Sequence, residues 1–245
     1  MKKIILFLCL MVFAANIYAV WDKARTDAFI TQLERAADPD NVGKSVKSVE
    51  MTIESLLTPF NVKMDSKFFY KAPDKLKSVS KTAGMQTITV YFNGKQGIKD
   101  DSLGGVSPIE GVPLEEIKMQ AIRMNPAVSM RQIFHKIEIA DELEEQDGRK
   151  YVAMTCYFNP SSKLFPQKYL VDPDTKLIAY SFSKSNTELG VVEVVSHNIE
   201  HRKCGGFVIP VRFTQTMMKI QIECKIVNFE INKNYPDSMF EYQEK

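Results

Sequence analysis

Cysteine, charge of one sign and long apolar runs are all scarce in this sequence, and each scarcity removes a class of protein. Four cysteines occur in 245 residues. Cys9 lies in an amino-terminal apolar run, which leaves Cys156, Cys204 and Cys224. An odd number of thiols admits at most one disulfide among these three, so the chain is not a disulfide scaffold. With Lys2 and Lys3 set aside, the 32 Lys and Arg fall to 30, equal to the 30 Asp and Glu. A neutral chain has no broad electrostatic claim on nucleic acid or anionic lipid. The extended apolar run, Ile4 to Ala15, is too short to span a bilayer. The sequence shows no internal repeat, low-complexity tract or nucleophile-elbow serine, and no glycine-rich turn between a strand and a helix.

What is present begins with residues 1–19. Lys2 and Lys3, the apolar run and a closing small residue, Ala19, have the layout of a secretory signal peptide. Ile17, third before the cut, is tolerated there. Cys9 follows Leu8 rather than a small residue, and little apolar sequence precedes it, so it reads as signal filler and not as a lipid-attachment site. The expectation is cleavage before Val20 and one soluble domain over 20–245 in the periplasm. The composition of that domain is ordinary for a globular protein and supplies a sizeable core.

Residues 21–37 read as an amphipathic helix, with Phe29, Leu33, Ala36 and Ala37 at helical spacing and Asp38-Pro39-Asp40 as its stop. Beyond it the apolar period falls to two. Val49, Met51 and Ile53 alternate with polar residues, as do Ile88, Val90 and Phe92. Val152, Met154, Cys156 and Phe158 form a third such set, and Met218, Ile220, Ile222, Cys224 and Ile226 a fourth. After Ile226 the apolar set changes parity to Val227, Phe229 and Ile231, which is what a β-bulge produces. Asn93-Gly94 and Asp147-Gly148 suit hairpin turns, and Asp172-Pro173-Asp174 and Cys204-Gly205-Gly206 mark two more. Crossovers of the βαβ kind are missing, so the sheet is antiparallel. Residues 100–112 read as a loop. Pro113 opens a helix through Met124, and a short second helix fits Val128 to Phe134.

Three stretches carry a family resemblance. Phe69-Tyr70-Lys71-Ala72-Pro73-Asp74-Lys75-Leu76 resembles the strand-and-turn signature of the outer-membrane lipoprotein-sorting proteins, which have the LolA/LolB-like fold. Tyr91-Phe92-Asn93-Gly94-Lys95-Gln96-Gly97 is similar to their next hairpin. Phe229-Glu230-Ile231-Asn232, followed by Tyr235-Pro236-Asp237-Ser238-Met239-Phe240, resembles their closing strand and its end. The resemblance covers most of residues 45–240. It implies a mainly β fold with packed helices: a strongly curved antiparallel sheet, an incomplete half-open barrel, plugged by helices around a cavity for acyl chains. The 21–37 helix is placed against the concave side. One departure is visible. In the family's carrier an arginine directly precedes the proline of the first motif and latches the lid. Ala72 stands there here, and strand alternation puts the neighbouring Lys71 on the other face, so that latch does not carry over.

Other chemistry is weaker. His197, His201 and Cys204 could approach one metal if a strand put them on one face, but the spacing is not a standard zinc pattern and Glu200, Arg202 and Lys203 suggest a solvated strand end. His135 reads as a packed or half-exposed residue. Asp141, Glu142, Glu144 and Glu145 read as a solvated hairpin tip. Cys156 and Cys224 read as small buried hydrophobes. Met51, Met154 and Met218 on strand faces, with Met119 and Met124 on the inserted helix, are core filling or the soft lining of an acyl-chain site. No catalytic residue, metal or cofactor is assigned. The leading expectation is a carrier that binds acyl chains of lipoproteins or lipids and exchanges them with a membrane-bound donor or acceptor protein. A non-catalytic sensor or protein-binding module on the same fold is the alternative, and a metal-dependent enzyme a third. The candidate cavity lining is Met51, Ile53, Phe68, Tyr70, Ile88, Val90, Met154, Cys156, Ile220 and Ile222.

Overall fold

The computed structural model describes residues 20–187 and 190–244. The signal segment expected over 1–19 lies outside the described residues. Helix α1 spans Lys23–Ala37. Strands β1 (Ser48–Leu57), β2 (Val62–Lys71), β3 (Lys75–Thr82), β4 (Gln86–Phe92), β5 (Gly97–Asp101) and β6 (Gly105–Ile109) follow. Helices α2 (Gly111–Arg123) and α3 (Met130–Ile133) come next. The chain then returns to strands: β7 (Lys136–Gln146), β8 (Arg149–Tyr157), β9 (Gln167–Val171), β10 (Ile178–Thr187), β11 (Gly190–Cys204), β12 (Phe207–Met217) and β13 (Ile220–Ile231). Among the described residues these form one 13-stranded sheet in the order β6-β5-β4-β3-β2-β1-β13-β12-β11-β10-β9-β8-β7, open between β6 and β7. Every paired neighbour is antiparallel.

Local chemistry explains the boundaries. The Asp22 side chain caps α1 by accepting from the Arg25 amide. Past the helix end the Asp38 carboxylate accepts from the amides of Val42 and Gly43 at 2.9 and 2.8 Å. Asp147 and Gly148, with φ of 50° and 73°, make the two-residue hairpin expected from their sequence. The expected bulge is present: Thr52 pairs with Asn228 and Ile53 with Ile226, which leaves Val227 as the extra residue.

Three expectations need correction. Met218 is not on a strand face. It forms the β12–β13 turn with Lys219, both at positive φ, and β13 starts at Ile220. Residues 100–112 are not all loop, because β6 occupies Gly105–Ile109 and pairs with β5. Pro108 is compatible with it because β6 is an edge strand, where a missing amide breaks no ladder bond. Helix α2 starts at Gly111, so Pro113 lies in its first turn rather than opening it.

The helices lie on one face. Phe29 and Leu33 of α1 pack with Val152, Met154 and Cys156 of β8 and Val171 of β9. On α2, Ala121 packs with Leu76 of β3 and Phe92 of β4. The same helix bonds to the far arm of the sheet: Ser185 of β10 donates to Glu116 at 2.7 Å, and Arg123 donates to Gln167 of β9 at 2.8 Å. β3 and β10 are six steps apart in the sheet, roughly 29 Å in a flat one. A helix about 10–12 Å across reaches both only if the sheet curls around it. The helices therefore occupy the concave side.

The chain closes on its own back. Phe240, in a short 3-10 turn after β13, is fully buried. Lys71 lies on the face opposite Tyr70 and donates to the Tyr235 carbonyl at 2.7 Å and to Asp237 at 2.6 Å, and Lys75 reaches the other oxygen of Asp237 at 2.6 Å. The lysine beside the expected latch position thus clasps the carboxyl-terminal segment.

Two outcomes follow from this packing. Met154 is fully buried and Val227 is 43% exposed, so Met154→Ala should cost about 2–5 kcal/mol in denaturant unfolding while Val227→Ser stays within about 0.5 kcal/mol. Equal losses would show that the core lies elsewhere. The flanking lysines hold the Asp237 carboxyl down from 3.8 to about 2. A lowered folded-state pKa contributes stability above the unfolded value and loses it as pH falls through the folded value. The thermal midpoint of Asp237→Asn should therefore lie below that of the wild type near neutrality, and the gap should close between about pH 4 and pH 2. A gap independent of pH would dissociate the clasp from the charge.

Candidate functional site

Directly opposed residues of an antiparallel ladder share a face, and the register puts all ten candidate residues on the concave one. Met51 opposes Phe68, and Ser78 opposes both Phe68 and Val90. Ser80 opposes Ile88. Ile53 and Tyr70 share this face as second neighbours of Met51 and Phe68 on their strands. In the other direction Leu57 opposes Ile222, which opposes Gln215, then Ser196, then Ser181. Ile220 is the second neighbour of Ile222 and opposes Met217. Ser181 opposes Tyr169 and Tyr169 opposes Met154, while Cys156 opposes Gln167.

They are not equally covered. Tyr70, Met154 and Cys156 are fully buried beneath the helices. Burial pushes the Cys156 thiol up to about 12, so it is chemically quiet. The Tyr70 hydroxyl donates to the Pro73 carbonyl at 2.9 Å. Met51, Ile53, Phe68, Ile88, Val90, Ile220 and Ile222 are half-buried. On the β1–β4 arm the cover of the large side chains is graded along the strands. At the end where β2 turns into β3, Val49, Tyr70, Leu76 and Phe92 are buried. Toward the other end Ile53, Met64 and Ile88 are open in part, with the small Ser55 and Ser66 buried between them. On this arm the concave side is thus a trough, more open at one end, whereas the β8–β11 arm is buried at both ends, by Val152 and Val171 at one and by Cys156, Gln167 and Val192 at the other.

Its far wall is polar, which the sequence reading missed. Ser181, Ser183 and Ser185 of β10 share the concave face with Ser196 and Asn198 of β11 and Gln215 of β12. Helix α2 turns Glu116, Gln120 and Arg123 toward this wall and Leu114 and Ala121 toward the apolar one, with Ile117 touching both sides. Between α2 and the polar wall lies a cavity of about 560 Å³, which Phe158, Leu164 and Phe165 also line. A second space of about 770 Å³ lies beneath α1 and α3, beside Leu33, Met130, Ile133, Phe134 and Phe207. None of the ten candidates lines either space. Two signals were available for the polar wall: serines at period two over 181–185, and polar residues at positions 116, 120 and 123, a helical spacing.

His197 stacks on Tyr180 at 4.2 Å and 7° on the convex face. Register shifts fall between it and His201, whose pKa is lowered by burial. Cys156, Cys204 and Cys224 are all free thiols. Among the described residues no group of three or more His, Cys, Asp or Glu side chains is placed to hold a metal ion. No described helix is long and apolar enough to cross a membrane.

No family model and no curated protein matches the chain in sequence. Solved structures match it in fold. A domain of an outer membrane lipoprotein-sorting protein from Vibrio parahaemolyticus aligns with a TM-score of 0.53 and 10% identity, over 86% of this chain and 94% of that one. A DUF1329 family protein from Desulfovibrio piger gives 0.54 at 13% identity, over 88% and 97%. A LolA superfamily protein from Nitrosomonas europaea gives 0.54 at 12% identity, also over 88% and 97%. Identities this low speak to the fold alone. With the open 13-stranded sheet and the helices on its concave side, the fold is LolA-like, that of the outer-membrane lipoprotein-sorting proteins.

Proposed function

We propose that this chain is a non-catalytic carrier of the lipoprotein-sorting type, exported to the periplasm, that shelters acyl chains of lipoproteins or lipids in its trough. The observation that carries the reading is the half-covered apolar wall formed by Met51, Ile53, Phe68, Ile88, Val90, Ile220 and Ile222. Apolar side chains brought to one concave surface and left part-open suit a flexible apolar ligand. Burying about ten methylenes contributes roughly 8 kcal/mol, the scale of micromolar binding before ordering costs are deducted.

Helix α2 is the element suited to move. Ala121 is its one buried residue. Among the described residues its polar ties include Ser185 to Glu116, Arg123 to Gln167, the Lys163 amide to Glu115 at 3.2 Å, and beyond its end Asn125 to the Pro73 carbonyl at 3.4 Å. Displacing it opens the trough without breaking the sheet. The polar wall favours a second reading, a module that binds a protein segment and satisfies its backbone groups through Ser181, Ser183 and Gln215.

Uptake of a fluorescent fatty-acyl probe separates the two. Ile222→Glu is expected to weaken uptake at least roughly tenfold, since it puts a carboxylate against the chain. Val90→Glu should do less, because Lys99 stands directly opposite and can neutralise it. The folded fraction of each variant is measured alongside by circular dichroism. A well-folded wild type that retains no lipid and takes up no probe would overturn the carrier and leave the protein-binding module. Export is tested apart: the intact mass of protein from a periplasmic fraction should start at Val20, and a full-length or lipidated product contradicts it.

A further inference from the structure

An antiparallel sheet sends its hairpins alternately to two ends. Here the hairpins β1–β2, β3–β4, β5–β6, β10–β11 and β12–β13 turn at one end, where the longer β8–β9 connection, residues 158–166, also lies without an exposed large apolar residue, and β2–β3, β4–β5, β7–β8, β9–β10 and β11–β12 turn at the other. Each of the first five carries an exposed large apolar residue in or beside its turn: Phe60, Met85, Leu103, Val191 and Met218, all 51–73% exposed. The turns at the opposite end carry none among the described residues; they are built from Pro73-Asp74, Asn93 to Gln96, Asp147-Gly148, Asp172 to Lys176 and Gly205-Gly206. On the β1–β4 arm the apolar-tipped end is also the one toward which the trough opens, since Ile53, Met64 and Ile88 lie nearer to it than the buried Val49, Tyr70 and Phe92.

We propose that this rim docks on a lipid bilayer bearing anionic headgroups, with Phe60, Met85 and Met218 entering the interface. Two observations select this occupant over a protein. The tips are apolar side chains on separate hairpins, each followed or preceded by a polar residue or glycine, Asn61, Gly84 and Lys219, with Pro59 and Met217 as the apolar neighbours of Phe60 and Met218. A non-directional apolar medium accepts such separate anchors, whereas a protein interface needs a contiguous packed centre. The three middle tips also carry Lys63, Lys81 and Lys219, which are exposed and make no ion pair among the described residues. One carboxylate lies among the middle tips, Asp65, directly opposite Lys81 on the neighbouring strand; the others next to tips fall at the flanks, with Asp100 and Asp101 near Leu103 and Glu193 near Val191. Residues 20–245 as a whole are neutral, with 30 basic and 30 acidic residues, so the attraction is local to these three hairpins. Docked this way, the mouth of the trough faces the membrane. The inference stands on the rim alone: a chain that binds vesicles but takes up no acyl probe keeps this proposal and loses the carrier reading.

The test is co-sedimentation of the protein with vesicles of phosphatidylcholine, with and without phosphatidylglycerol. The wild type should sediment with the anionic vesicles. The triple variant Phe60→Ser/Met85→Ser/Met218→Asn should bind roughly tenfold or more weakly; Asn is chosen at 218 because it tolerates the positive φ there. Lys63→Gln/Lys81→Gln/Lys219→Gln should lose roughly a hundredfold on anionic vesicles. The matching set at the opposite end, Lys95→Gln/Lys150→Gln/Lys203→Gln, should bind like the wild type. All substituted positions are exposed, and thermal melts confirm folding. Failure of the wild type to bind either vesicle overturns the proposal, as does undiminished binding by the apolar triple. A wild type that self-associates on gel filtration, with a monomeric apolar triple, makes the rim a protein interface and overturns it equally.

Discussion

A sheet of 13 strands has more concave face than its helices can cover. Laid flat it would be roughly 60 Å wide. The described helices on that face, of 15, 13 and 4 residues, each cover a strip about 10–12 Å across. Curling the sheet is the physical answer, because it brings strands from both arms onto the same helix. Met154, Cys156 and Val171 close on α1 from one arm, and Leu76 and Phe92 close on α2 from the other. Curling also leaves a remainder. The part of the concave wall beyond the reach of the helices stays half-open, and in this chain its large side chains are mostly apolar, with Ser78, Ser80 and Lys99 between them.

The polarity of the interior follows the same division. Helix α2 lies between two unlike walls and matches each with its own stripe, apolar toward β3 and β4 and polar toward β10. It is held by an apolar contact with Leu76 and Phe92 on one side and by hydrogen bonds to β9 and β10 on the other. The open end of the trough and the apolar hairpin tips coincide because hairpins at one end of an antiparallel sheet form one rim.

Much of this was legible in the sequence where the physics is local. The parity change after Ile226 gave the bulge at Val227, because side-chain direction has a strict period of two. Asp147-Gly148 gave its hairpin, because few residues adopt positive φ cheaply. All ten candidate residues fall on one face for the same reason that strands alternate. What escaped depends on neighbours distant in the chain. Pro108 and Gly104-Gly105 look like a loop until β6 is seen to be an edge. Met218 continues the apolar period of β13, and nothing in Met218-Lys219 announces a turn. The serine wall is invisible to a search for apolar alternation. Which apolar residues are sealed and which stay open is decided by where the helices lie, so Tyr70, Met154 and Cys156 could not be told from Ile53 or Ile222.

The account rests on the half-open wall being occupied by apolar chain when the protein is at work. Native mass spectrometry of the protein isolated gently from a periplasmic fraction, followed by lipid analysis of whatever is released, addresses this most directly. The account predicts a bound acylated species, released when Ile222→Glu is introduced into a chain that remains folded. A folded wild-type protein that emerges at its bare chain mass, with no acylated material in the extract, would contradict it.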